Sequence, residues 1–278
     1  MTLLSIWLSC ASSPTAPPPA QETNTLAPPH LQAPQVTSTN LLAEGPELVF
    51  WEVAWNTSSD RGVAWVIELP RAVSLDLAHS AGVAHLEDAL DLTSTRAAIN
   101  GGFYQDNAAM GLVRREGETF TPLSPRGGSG VLFQGPTPAL ITHRDAWSGH
   151  GRIALQSIDR LVDGHSNLVT GRPGAPRAAR SAVAVHQDSV RFVLVASESS
   201  IQQRENGVQL HQTGGFGMTL WEFGEFLVAQ GATQALNLDG GISSGLWVQT
   251  GADDGFLVRS QSGSINALTT RSRASPQP

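Results

Sequence analysis

Two glycine pairs constrain this chain more than any other feature: Asn100-Gly101-Gly102-Phe103-Tyr104 and Asn237-Leu238-Asp239-Gly240-Gly241-Ile242-Ser243-Ser244. Each follows a short apolar run, Ala97-Ala98-Ile99 in one case and Ala235-Leu236 in the other, and sets an amide or a carboxylate directly before the glycines. A strand that ends this way delivers a polar side chain and bare backbone N–H groups to one place. Glycine supplies the positive-φ turns and the close approach that such a place needs. Distant parts of the chain are therefore expected to converge on one polar pocket. For either segment alone, a tight turn capped by its own Asn or Asp accounts for the residues equally well.

The charge pattern narrows what that pocket can hold. The chain has 278 residues, 40% hydrophobic and 15% charged, enough to bury a proper core and only lightly charged. A net charge of −7 disfavours nucleic acid and anionic membrane surfaces as partners. All 17 basic residues are arginine. Without lysine, a Walker A loop, a Schiff-base lysine and a serine–lysine dyad are excluded. An anion must be held by arginine, backbone N–H groups or helix ends. His143, His150, His165, His186 and His211 show no metal-ligand spacing, so neither a metal nor a cofactor is expected.

Cys10 is the only cysteine, so no intramolecular disulfide can form. It follows the apolar run Leu3–Leu8 and precedes a Pro/Ala/Ser/Thr-rich tract. This reads as the end of a bacterial lipoprotein signal over residues 1–10, with Ser9 before a lipid-modified Cys10. The usual basic stretch is missing, which a start site placed too far downstream would explain. The expectation is an exported protein of the cell envelope, periplasmic or on the outer surface, touching membrane only through Cys10. The competing reading is a free thiol.

Residues 11–46 read as a disordered Pro-rich linker, since 11–40 alone carry seven of the 17 prolines and almost no charge. One folded domain is expected over residues 47–270, with 271–278 as a disordered tail. Strand-like composition marks 48–55, 63–69, 73–77, 111–115, 130–133, 139–142, 246–249 and 255–259, and a hairpin pairs 182–186 with 190–196. A short helix is expected over 84–92. A better one runs over 220–230, where Thr219 and Glu222 form a T-x-x-E capping box and Gly231 suits a left-handed C-cap. The fold class expected is α+β: a single strand-rich domain with a twisted mixed sheet and few helices.

Gly241-Ile242-Ser243-Ser244-Gly245 satisfies G-x-S-x-G, the nucleophile elbow of serine hydrolases. That elbow needs a helix after it, whereas Leu246-Trp247-Val248-Gln249 is strand-like and no histidine follows Ser244. The elbow reading fails. Asp239 is the carboxylate best placed for chemistry, at the end of an apolar strand where desolvation raises a carboxyl pKa. An Asx-turn aspartate bonding the Gly240 and Gly241 amides is the alternative, and Asn100 and Asn237 share that ambiguity. Glu222 is explained fully by its capping box. Arg180 opens a strand after a Gly/Pro-rich loop, either to fork onto a phosphate or to lie solvated at the surface.

Taken in order, several pieces resemble one family. They are Ala98-Ile99-Asn100-Gly101-Gly102-Phe103, Ala154-Leu155-Gln156-Ser157, Arg180-Ser181-Ala182, Gly217-Met218-Thr219-Leu220-Trp221-Glu222, Ala235-Leu236-Asn237-Leu238-Asp239-Gly240-Gly241 with Ser243-Ser244, and Asn266-Ala267-Leu268. Together they resemble the phosphodiester glycosidase family over about residues 60–270. The resemblance implies hydrolysis of a sugar 1-phosphodiester, giving free sugar and a phosphomonoester. It implies Asp239, Arg180 and Asn100 as catalytic residues, with Gly101, Gly102, Asn237, Gly240, Gly241, Ser243 and Ser244 binding substrate. A catalytically inactive, tethered glycan-binding module is the alternative, in which Trp147 or Trp247 would line the cleft. Three departures stand out. Ile242 replaces a third glycine, Ser197-Glu198-Ser199 stands where Asp-Gly-Arg is common, and Ile158-Asp159 replaces a Gly-Pro turn.

Overall fold

A computed structural model describes residues 31–211, 215–252 and 254–271. Cys10, most of the expected linker and all but Arg271 of the expected tail lie outside the described residues.

Strands dominate, and they form more than the single mixed sheet expected. The strands of one eight-stranded sheet run, in spatial order, Gln35–Gly45, Leu48–Asn56, Arg61–Pro70, Ser189–Ser197, Arg180–Val185, Gln234–Asn237, Arg160–Asp163 and Ser166–Asn167, all antiparallel. A seven-stranded sheet runs Ile201–Arg204, Gly207–Leu210, Gly255–Arg259, Leu246–Gln249, Thr95–Asn100, Ser264–Arg271 and Leu75–Ala84. A five-stranded sheet is built around Gly130–Gln134 and Ile153–Ser157. Among the described strands only Gly207–Leu210 and Gly255–Arg259 pair in parallel.

Two-residue periodicity explains how the layers stack. In Arg61–Pro70, Trp65, Ile67 and Leu69 face a core shared by all three sheets, together with Phe50, Phe192, Ile99, Leu132 and Leu155. Ala64 and Val66 of the same strand face the other way, onto Phe223, Phe226 and Leu227 of the helix Leu220–Ala229. That helix starts as the sequence requires, with both halves of the Thr219–Glu222 capping box made. It is followed by Gly231 at φ 84°.

Two boundaries need correction. Part of the expected linker, Gln35–Gly45, is an edge strand with eight successive exposed residues. Its backbone pairing with Leu48–Asn56 orders it even though almost no side chain is buried, which is why composition did not reveal it. The helix expected over 84–92 shrinks to Leu86–Ala89. Its His85 N-cap makes no side-chain cap hydrogen bond, and the chain returns to extended geometry at Leu90.

Candidate functional site

Three strands of the eight-stranded sheet define the site. Gln234–Asn237 ends where its two antiparallel neighbours, Arg180–Val185 and Arg160–Asp163, begin. The second glycine pair thus leaves the sheet with Arg180 on one flank and Asp159 on the other. Leu238 N–H bonds the Ser181 carbonyl at 2.8 Å and Gly241 N–H the Ala179 carbonyl at 2.8 Å. Gly240 has no room for a side chain, since a Cβ there would stand 2.9 Å from the Ala179 carbonyl oxygen. Gly241 sits at φ 62° and opens a single 3-10 turn, Gly241–Ser243. The strand Leu246–Gln249 follows, so no helix supports a serine elbow.

Asp239 is half-buried, two residues before this turn. Its Oδ1 accepts the Gly240 N–H at 2.9 Å. Burial pushes its carboxyl pKa up to about 6, against the hydrogen bonds from Ser243 and Gly240, which pull it down. The group is therefore ionised at neutral pH yet close enough to titration to exchange a proton.

The first glycine pair is bolted to the second from below. Asn100, 1% exposed, donates from Nδ2 to the Asp239 carbonyl at 2.6 Å and accepts the Gly245 N–H on Oδ1 at 3.1 Å. Asp239 N–H in turn bonds the Gly101 carbonyl at 2.9 Å. Gly101 N–H and Gly102 N–H go to the carbonyl and the Oδ1 of Asn266, both at 2.8 Å. Asn266 is a clamp to which sequence reasoning gave no role, since nothing in Asn-Ala-Leu marks it.

These bonds correct the expected division of labour. The N–H groups of Gly101, Gly102, Gly240 and Gly241 all have protein partners, as buried backbone donors must. They are not available to a ligand. Asn237 and Ser244 are 2% and 0% exposed, and Asn100 has both ends of its amide engaged, so these three lie beneath the site rather than in it. Ser243 is buried too, with its hydroxyl bonded to Asp239 and, at 3.4 Å, to the Ser262 hydroxyl. Ile242, by contrast, is 47% exposed on the rim.

Arg180 donates from Nε to the Met218 carbonyl at 3.0 Å and from Nη2 to the Pro176 carbonyl at 2.8 Å. Burial lowers its pKa to about 10, opposed by the charge of Glu222, and it stays cationic at neutral pH. Glu222 does more than cap its helix. It pairs with Arg177 Nη2 at 2.5 Å and is 4% exposed. A residue not singled out in the sequence, Asp60, holds the same corner. Its Oδ2 accepts the Gly217 N–H at 2.6 Å and its Oδ1 the Ser197 hydroxyl at 2.9 Å. That fixes Gly217-Met218, whose carbonyls receive Arg177 and Arg180.

The tryptophans of the alternative reading are spent elsewhere. Trp247 packs with Leu86, Ala98 and Ala267, and Trp147 with Leu112, Val131 and Ala154. A cavity of about 650 Å³ lined by Val73, Asp76, Arg96, Glu116 and Arg152 adjoins the opposite end of the Thr95–Asn100 strand and shares no residue with the glycine pairs. Among the described residues, no three His, Cys, Asp or Glu side chains are grouped to hold a metal ion.

A family model for phosphodiester glycosidases matches residues 93–274, which contain both glycine pairs, Arg180 and Asn266. The chain belongs to the phosphodiester glycosidase family. Its fold is similar to that of the zebrafish N-acetylglucosamine-1-phosphodiester alpha-N-acetylglucosaminidase catalytic domain, a structure auto-inhibited by its pro-peptide. The TM-score is 0.63 at 14% identity, covering 87% of this chain and 89% of that one. A hypothetical protein from Synechocystis is similar at TM-score 0.57 and 16% identity, over 85% of this chain and 64% of the other. No curated protein sequence matches the chain. Of the charged residues expected at the site, Asp239 and Arg180 are both partly exposed.

Proposed function

We propose that this chain hydrolyses a sugar 1-phosphodiester, releasing the free sugar and a phosphomonoester. The observation that carries the reading is Asp239, a half-buried carboxylate with a pKa of about 6 set beside the strand that opens with Arg180. In the reaction the bond from C1 to the phosphate oxygen breaks, and the phosphomonoester leaves with the electron pair. A bond from C1 to a water oxygen replaces it. In direct attack the water proton passes to the Asp239 carboxylate; if Asp239 attacks C1 first, water then displaces it, the C1–carboxylate bond breaks with its electron pair returning to the carboxylate, and that carboxylate takes the water proton. The second pKa of the departing phosphate is about 6, so no strong general acid is needed. Arg180 is assigned to the phosphate, where a fixed cation meets growing negative charge without reorganising.

One observation favours the second reading, a tethered glycan-binding module without turnover: Nε and Nη2 of Arg180 are already held by backbone carbonyls. A panel of sugar 1-phosphodiesters, assayed for free sugar with wild type and Asp239→Asn, separates the two. Turnover that collapses in the variant supports hydrolysis. A folded wild type that turns over nothing supports the module. A cell-envelope glycoconjugate is the proposed substrate, motivated by Cys10 and the Pro-rich tract after it. Fatty-acid labelling that leaves Cys10 unmodified would remove that argument.

A further inference from the structure

The two flanks of the second glycine pair carry opposite charge, and only one flank has been accounted for. Asp159 immediately precedes the strand Arg160–Asp163, and its carbonyl accepts the Asn237 N–H at 3.0 Å, two residues before Asp239. It occupies φ 63°, the left-handed region that a non-glycine residue enters at a cost. Among the described residues its carboxylate has no hydrogen-bond donor and no ion pair. The adjacent Arg160 is committed to Asp163 at 2.8 Å. Partial burial raises the Asp159 pKa with nothing to offset it. A half-buried carboxylate in a left-handed turn beside a candidate active site, with no donor from the described residues, can accept hydroxyl protons from a ligand.

Neighbouring strands lie about 4.8 Å apart, so Asp159 and Arg180 flank the strand Gln234–Asn237 roughly 10 Å apart across the sheet, Asp159 level with Asn237 and Arg180 two residues further on, toward Asp239. A ligand laid across this sheet end meets an acceptor on one side and a cation on the other. Resting on the proposed hydrolysis, we infer that the substrate binds with a fixed polarity. A neutral sugar ring lies over the Asp159 flank, donating hydroxyl protons to that carboxylate, and the phosphate lies over the Arg180 flank. Asp159 is then a specificity-determining residue. Two hydroxyls of one ring can satisfy its two oxygens, while a sugar bearing a carboxylate or a second phosphate would meet like charge across a partly dry contact.

The test reads the two halves of the substrate separately, by calorimetry or ligand-observed NMR, so it does not depend on turnover. Probes are neutral hexoses, the matching hexuronates and methyl phosphate, against wild type, Asp159→Asn and Arg180→Gln. Asn tolerates positive φ, so Asp159→Asn keeps the turn. Wild type is expected to prefer hexose to hexuronate. Asp159→Asn should weaken hexose binding tenfold or more, erase the discrimination against hexuronate, and leave methyl phosphate unchanged. Arg180→Gln should do the reverse, losing methyl phosphate and keeping hexose. The inference is overturned if Asp159→Asn leaves hexose binding intact, if it weakens both probes alike, or if wild type binds methyl phosphate and no hexose. Failure of the hydrolysis reading shows separately, as absence of turnover by a wild type that still sorts the two probes.

Discussion

The two glycine pairs look alike in sequence and do different work. The first is sealed: Asn100, Gly101 and Gly102 are buried, and Asn266 takes up both glycine N–H groups. The second is open, with Asp239 half-buried and Ile242 on the rim. The difference lies in what fills the space around each. A Cβ on Gly101 would stand 1.8 Å from Asn266 Oδ1, whereas one on Gly241 would meet nothing within 4 Å. One pair is a sterically locked foundation, and the other is a turn held by backbone conformation under an ionisable group.

The sharpest way to break this comparison is Asp239→Asn. Turnover should fall by roughly a thousandfold, as for loss of a base or nucleophile. Stability should move the other way. A carboxyl raised from 3.8 to about 6 on folding binds its proton more tightly in the folded state, so it costs stability as pH climbs through that window and throughout the range above it. At pH 7 the variant should melt at or above the wild-type temperature. The same shift predicts that wild-type kcat/KM rises with pH through about 6, as Asp239 ionises. A flat profile between pH 5 and 7 would detach Asp239 from the chemistry.

The next largest effect belongs to the sealed pair. Gly101→Ala should cost about 3 kcal/mol, because the methyl group collides with a clamped side chain. Denaturant unfolding measures it directly, and a loss under 1 kcal/mol would mean that Asn266 is free to move. Asn100→Ala strands the Gly245 N–H and the Asp239 carbonyl, at about 2 kcal/mol. It should also lower kcat more than it raises KM, since the residue fixes Asp239 without touching substrate. Gly241→Ala should be mildest, about 1 kcal/mol for a left-handed residue with open space around it. Equal costs for Gly101→Ala and Gly241→Ala would erase the distinction between the pairs.

Sequence periodicity marked most of the long strands, and the strand ends Leu246–Gln249 and Gly255–Arg259 match expectation to the residue. The capping box of Leu220–Ala229 was equally legible, because its signal is local. Elements whose stability comes from a partner were not. Gln35–Gly45 buries almost nothing of its own, and Ile153–Ser157 is buried at every position and so lacks alternation. At the site, residue type marked Asp239 and Arg180 but not who uses the N–H groups. Asp60 was not marked at all, and the roles of Asn266 and Asp159 became visible only through what they bond to, or fail to bond to, across long stretches of chain.

The bond from Asn100 to Asp239 spans 139 residues and ties a strand of the seven-stranded sheet to the end of a strand in the eight-stranded one. Contacts of such separation form slowly, since the loop between them must close before the contact gives anything back. The pairings of Thr95–Asn100 with Leu246–Gln249 and Ser264–Arg271 join residues at least as far apart, so the site arrives with the sheet rather than ahead of it. In a refolding experiment amide circular dichroism and any turnover should recover together, both timed by the closing of these long loops.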